Sequence, residues 1–322
     1  MTVVVGKAVG PLEPPPTLGD ERPGRRRRFE STPYLLVVPT ILVIVVTLGI
    51  PLYKIVVLAF QHQTKRELYT NKPGDWVGFQ NFSDVLRSAD FWSTVERTFV
   101  VCAVLVVLSM GISLLLALLM NQLSRWVRTP LMALLLFVWA IPQIVAVELF
   151  VWFTDPNFGV LNYMLDKIGF HGFKTHDWFV DPVQGWTVII VLVVWQALPF
   201  LTVTLSAGMS MVPKELGEAA RMDGANPFQV FRTVTYPTLK PLLVIATSLS
   251  VIWDFQLFNQ VFVIRQTKPE PDYQVLSVFS YTQAFGHSDY GLGAAISILT
   301  ILAMLGMMIF YVRQMLRIGD AD

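Results

Sequence analysis

Six runs of this chain are long and apolar enough to cross a membrane, and that fact limits its fold more than any motif does. They lie near 34–60, 97–120, 131–153, 185–210, 239–264 and 290–312. A helix rises 1.5 Å per residue, so ~20 apolar residues cross the ~30 Å of hydrocarbon in a bilayer. The run 100–108, VVCAVLVVL, is apolar on every face, whereas a membrane barrel alternates with period two. At that length in lipid, a helix satisfies its own backbone hydrogen bonds. Composition agrees: the 322 residues are 54% hydrophobic and 15% charged, with a mean hydropathy of +0.55, too little charge for a soluble protein of this size. The expected fold class is an all-α polytopic membrane protein with six transmembrane helices.

Basic residues set the expected orientation. Arg25, Arg26, Arg27 and Arg28 precede the first span, Arg125 and Arg128 lie in the short connection between the second and third, and Arg313 and Arg317 follow the last. With six spans all three groups share one side, which the positive-inside tendency makes cytoplasmic, with both termini inside. Lys65, Arg66, Lys72 and Arg87 lie on the other side, in a longer loop whose charges weigh less. Residues 1–32, with Pro11, Pro14, Pro15 and Pro16 before the arginine run, are expected as a disordered cytoplasmic tail. Residues 33–318 form the expected six-helix membrane domain. The tail lacks the small-residue cleavage site of a secretory signal, and its arginines suit anionic headgroups.

The third, fourth and fifth spans are interrupted near mid-depth by aromatic and polar clusters. These are Trp139-Ala140-Ile141-Pro142-Gln143, Trp195-Gln196-Ala197-Leu198-Pro199-Phe200, and Trp253-Asp254-Phe255-Gln256-Leu257-Phe258-Asn259. Asp254 stands out, because an ionisable group at mid-membrane costs at least ~2.5–3.5 kcal/mol and usually faces a cavity or a partner. Either a cavity-facing carboxylate or a bond to a neighbouring helix satisfies it. Glu148, nearer the end of its span, reaches the interface. The single cysteine, Cys102, excludes an internal disulfide. His62, His171, His176 and His287 show no metal-ligand spacing. The aromatic loop Asp75-Trp76-Val77-Gly78-Phe79-Gln80-Asn81-Phe82 suits the water–lipid boundary and is expected as a structural lid.

Between the fourth and fifth spans lies a polar, helix-forming insert, 212–237. Pro213 suits a first helical position, Gly224 a C-terminal cap, and Asn226-Pro227 the start of a second short helix that ends before Pro237. The insert is expected to be a cytoplasmic helix-turn-helix elbow. Its string Glu218-Ala219-Ala220, then Gly224, Val234, Tyr236 and Pro237, matches the spacing E-A-A-x3-G-x9-I-x-L-P, with Val and Tyr replacing Ile and Leu.

With that signature the chain resembles the permease subunits of binding-protein-dependent ABC carbohydrate importers of the maltose and glycerol-phosphate type. The resemblance spans roughly 30–318 and rests also on Trp139-Ala140-Ile141-Pro142, on Trp195 with Pro199-Phe200, and on Phe258-Asn259 with Val261-Phe262-Val263. It implies a bacterial cytoplasmic-membrane protein that pairs with a second homologous permease, two ATP-binding subunits and an extracytoplasmic sugar-binding protein. ATPase coupling is carried over to Glu218, Ala219, Ala220, Asp223, Gly224 and Pro237. Sugar contact is carried over to Trp139, Gln143, Val193, Gln196, Ala197, Phe200, Asp254 and Leu257; in the fifth span the correspondence admits Gln256 in place of Asp254. No cofactor is expected on this chain: it has no GxxxxGK[ST] loop, so ATP and magnesium fall to the partner subunits. The segment 265–272 lies where the binding protein would dock. No basic cluster interrupts the third to fifth spans, which favours a neutral disaccharide or oligosaccharide. The competing function is a secondary transporter or channel without an ATPase, which would need coupled intramembrane charges and leaves the elbow without a purpose. An enzyme is not expected, for want of any catalytic constellation.

Overall fold

The computed structural model describes residues 32–70, 72–265 and 269–319. The tail with its arginine run and residues 266–268 of the outer segment lie outside them. The chain divides into two units between Pro51 and Leu52, inside the stretch expected as one permease domain. In the first unit α1, Thr32–Ile44, passes into a π turn, Val45–Gly49. Residues 37–51 are all exposed and mostly apolar, a surface suited to lipid. The π turn precedes Pro51 by two residues. A proline ring strikes the carbonyl four residues back, and the wider turn relieves that contact without ending the helix.

The second unit begins at Leu52, inside α2, Ile50–Ala59. Strands β1, Gln61–His62, and β2, Asp75–Trp76, pair antiparallel, with α3, Lys65–Tyr69, between them. Next come α4, Gln80–Arg87, and α5, Ala89–Gln122. Then follow α6, Arg125–Trp139, α7, Gln143–Phe153, α8, Val160–Lys167, and α9, Pro182–Met209. The elbow comprises α10, Lys214–Met222, and α11, Pro227–Val230. After it run α12, Tyr236–Phe255, α13, Asn259–Ile264, α14, Leu276–Tyr281, and α15, Tyr290–Gly319.

Among the described residues five stretches are long and apolar enough to span a bilayer: Val37–Ala59, Ala89–Gln122, Pro182–Met209, Pro227–Ile264 and Tyr290–Arg313. The expected third span is a pair, α6 and α7, bent by 92°, and counting it as one span brings the number to six. The span was expected to open near Pro130. Instead α6 begins at Arg125 and carries Pro130 inside it, and the break falls between Trp139 and Gln143. Pro142 supplies no N–H there and disfavours helical backbone at Ile141.

Helix α5 packs most extensively on α9. One apolar cluster gathers Leu105, Ile189, Leu192 and Val261, a second Phe91, Cys102, Phe255, Leu276 and Ile296, and a third Ala117, Leu205, Met209 and Leu239. Lipid gives helices no hydrophobic drive to associate, so close approach decides which pairs form. Gly208 shows this: a Cβ there would sit 2.3 Å from Leu242 Cδ2 and 2.9 Å from Leu239 Cδ2, so a larger residue would make these leucines of α12 shift.

Candidate functional site

The elbow is built from completed caps. Pro213 is the residue before α10 rather than its first residue, with φ −60° and ψ 127°. At the other end Gly224 takes φ +86°, a left-handed conformation that costs other residues ~1–2 kcal/mol. There the Gly224 N–H donates to the Arg221 carbonyl and the Ala225 N–H to the Ala220 carbonyl, each at 3.0 Å. This paired pattern satisfies two carbonyls that the helix end would otherwise strand. Asn226 then caps α11: its Oδ1 accepts from the Gln229 N–H at 2.9 Å, and Gln229 Oε1 accepts from the Asn226 N–H at 2.8 Å.

The second elbow helix does not end before Pro237, as expected. It runs through a π turn, Phe231–Thr235, directly into α12, so Pro237 falls in the first turn of that helix. As at Pro51, the π turn ends two residues before the proline. Glu218, Ala219, Asp223, Gly224 and Pro237 are exposed, and Ala220 is half-buried. Met222 is 88% exposed and Phe228 69%, so the elbow carries apolar side chains left largely uncovered by the described residues.

The residues carried over as sugar contacts fall into two groups. Trp139 stacks on Phe200 at 6.2 Å between ring centroids, and Phe200 meets Trp253 edge-on at 5.3 Å, so α6, α9 and α12 share one aromatic cluster. Trp139 and Trp253 are both more than half exposed. Nearby in the fold Asn259 Nδ2 donates to Gln143 Oε1 at 2.8 Å. That bond ties the first residue of α7 to the first residue of α13, each just past a helix break. Gln256 is exposed in the second break. The remaining residues turn inward. Val193 and Leu257 belong to the first apolar cluster, and Ala197 is half-buried. Gln196 Oε1 is enclosed with no hydrogen-bond partner among the described residues. Asp254 is 6% exposed, and its Oδ2 accepts from Ser250 Oγ at 2.9 Å. Glu148 is exposed on α7. The described residues contain no cluster of metal-binding side chains.

Three structural contacts were not foreseen from the sequence, although Asn81 lies in the aromatic loop expected as a lid and Arg265 in the segment where the binding protein would dock. Asn81, 5% exposed, donates from Nδ2 to the Ala59 carbonyl at 2.9 Å and the Gln61 carbonyl at 3.0 Å, tying the aromatic loop to the end of α2. Arg97 Nη1 donates to the carbonyls of Pro271 and Gln274, both at 2.8 Å. Arg265 pairs with Glu270 through both guanidinium and carboxylate ends and lies over the Tyr273 ring at 4.6 Å from its centroid. The hydrogen bond from Arg265 holds the Glu270 carboxyl below its ordinary value. All of these contacts are long-range or lie in loops, where no periodicity points to them.

Similarity to known proteins follows the same layout. A model of the family described as binding-protein-dependent transport system inner membrane component matches residues 109–319, a stretch that holds the elbow and the aromatic cluster. The diacetylchitobiose uptake system permease protein DasB of Streptomyces coelicolor is 38% identical over 299 residues, covering 91% of both chains. The trehalose/maltose transport system permease protein MalF of Thermococcus litoralis is 30% identical over 280 residues, 87% of this chain and 92% of the relative. The crystal structure of a bacterial ABC transporter that imports the acidic polysaccharide alginate shares the fold, with a TM-score of 0.77 at 21% identity over 89% of this chain and 96% of its counterpart. The chain is a multi-pass membrane protein and belongs to the family of binding-protein-dependent transport system inner membrane components.

Proposed function

We propose that this chain is one permease subunit of an ATP-driven importer for a neutral disaccharide or oligosaccharide. It forms the path with a second homologous permease, sits on two ATP-binding subunits that hold ATP and magnesium, and receives sugar from an extracytoplasmic binding protein. Both termini are cytoplasmic. The observation that carries the proposal is the elbow, a capped and protruding pair of helices with exposed Met222 and Phe228, placed between two spans. Its caps leave little slack, and its second helix continues into α12 without a break. A displacement at Met222 is therefore passed to α12, which carries Trp253, and through the short 210–213 link to α9, which carries Phe200. Glu218, Ala219, Ala220, Asp223, Gly224 and Pro237 make the contact with the ATPase.

The aromatic and amide side chains of Trp139, Gln143, Phe200, Trp253, Gln256 and Asn259 suit a sugar, whose ring has an apolar face and whose hydroxyls need hydrogen-bond partners. None of them is cationic. The named substrates of the relatives, diacetylchitobiose and trehalose or maltose, support a disaccharide. The test is co-purification with the ATPase and the second permease in mild detergent, followed by ATPase assays in vesicles with the binding protein. A stable complex stimulated by diacetylchitobiose, trehalose or maltose supports the assignment and names the sugar. A chain that never engages an ATPase overturns it.

A further inference from the structure

An open cavity of about 1150 Å3 lies between the α5–α6 connection and the elbow. Its polar wall holds four cations, Arg125, Arg128, Lys214 and Arg221, against a single carboxylate, Glu218. None of the four makes an ion pair within 4.0 Å among the described residues; Arg128 donates only a long bond, 3.4 Å, to Ser210 Oγ. Leu118, Met132, Met209 and Phe231 add apolar lining beside these cations. Trp126, between the two arginines, is 91% exposed. A tryptophan so placed at the end of a span marks headgroup depth.

Unpaired cations around a cavity with apolar lining, at headgroup depth, describe a receptor for an anionic phosphate attached to something apolar. We propose that this cavity binds a phosphate group, held among Arg125, Arg128, Lys214 and Arg221. Guanidinium groups suit phosphate oxygens because their paired N–H donors match the spacing of those oxygens. Two sources carry that chemistry: the phosphodiester of an anionic lipid and free phosphate. The apolar lining favours the lipid, which would place an acyl chain along α6 and brace the elbow against α5. The importer assignment enters only in putting this end of α5 on the cytoplasmic side; phosphate binding stands without it.

The test is native mass spectrometry of the purified full chain, released from detergent with phosphatidylglycerol or phosphatidylcholine. Phosphatidylglycerol is expected to be retained in preference to phosphatidylcholine. Arg125→Gln with Arg128→Gln should weaken that retention roughly ten- to thirtyfold, while Arg125→Lys with Arg128→Lys should largely keep it. Neutralising Arg25, Arg26, Arg27 and Arg28 should leave the preference in place. Equal retention of the two lipids overturns the proposal, as does a preference that survives the double Gln variant or vanishes with the tail arginines. A double Gln variant that still binds phosphatidylcholine normally shows that the fold is intact. Inorganic phosphate then separates the sources: displacement of the lipid at millimolar concentration assigns the site to soluble phosphate, and resistance assigns it to the headgroup. The readout is blind to coupling, so a failed importer assignment and a failed phosphate site give different results.

Discussion

At the scale of single residues, backbone geometry and buried polar pairs separate side chains that a hydropathy plot cannot. Gly224 was legible in the sequence because a glycine after a run of helix formers has one common purpose, and the structure places it at φ +86°. Replacing it with valine should cost ~1–2 kcal/mol of strain in the elbow. Uptake should fall five- to thirtyfold with unchanged insertion, measured by transport against membrane protein level. Unchanged uptake would remove the elbow from the coupling path. Asp254 was legible as unusual but not as placed, since composition does not say which way a carboxylate turns. The structure turns it inward onto Ser250, with 6% exposure. Ser250→Ala strips that carboxylate of its donor, and bonds to charged groups are worth ~1.5–3 kcal/mol. Thermal unfolding in detergent should start several degrees lower, while the sugar concentration for half-maximal ATPase stimulation stays the same. A shifted sugar response with unchanged thermal stability would instead put Asp254 in the substrate path.

At the scale of elements, helices and their caps follow local rules and could be read from spacing; breaks and loop anchors depend on partners far along the chain. The strings around Pro142 and Gln256 marked irregularity, but a 92° bend and the Asn259–Gln143 bridge are tertiary facts. Pro237 misled for a local reason: the π turn before it absorbs the ring, and the helix continues. Arg97 ties the 271–274 turn to α5, a contact that no local rule gives. Arg97→Ala should free that turn, with backbone amides of 272–276 exchanging at least tenfold faster in hydrogen-exchange mass spectrometry. Acid should act on the same turn through Glu270, whose folded pKa lies below its ordinary 4.5 because Arg265 bonds its carboxylate. A depressed carboxyl stabilises the fold above its ordinary value and loses that contribution as pH falls through the lowered one. Exchange corrected for intrinsic rates should therefore be flat between pH 7 and pH 5 and quicken below about 4. A turn equally protected in the arginine variant would mean that α5 does not hold it.

At the scale of the molecule, the aromatic cluster is incomplete by itself. Trp139 and Trp253 are 56% and 52% exposed, and Gln256 and Gln143 are exposed beside the two helix breaks. Lipid is a poor neighbour for those amides, because an unsatisfied polar group in hydrocarbon costs several kcal/mol. The proposed second permease, closing over this face, would turn it into the wall of a water-filled path. The buried Cys102 is the single cysteine of the chain, so replacing it with alanine gives a clean background for introduced thiols. In the assembled importer, a cysteine at position 143 or 256 should react with a charged, membrane-impermeant thiol reagent, and transported sugar should slow that reaction. Trp139→Ala or Trp253→Ala should then raise the sugar concentration for half-maximal stimulation about fivefold or more, from the ~1–2 kcal/mol of apolar contact a ring supplies. The control is a cysteine replacing Leu134, 61% exposed on the same helix as Trp139. If positions 143 and 256 react only with a lipid-soluble maleimide, as a lipid-facing Leu134 should, the aromatic face meets hydrocarbon. The proposed sugar path would then have to lie elsewhere.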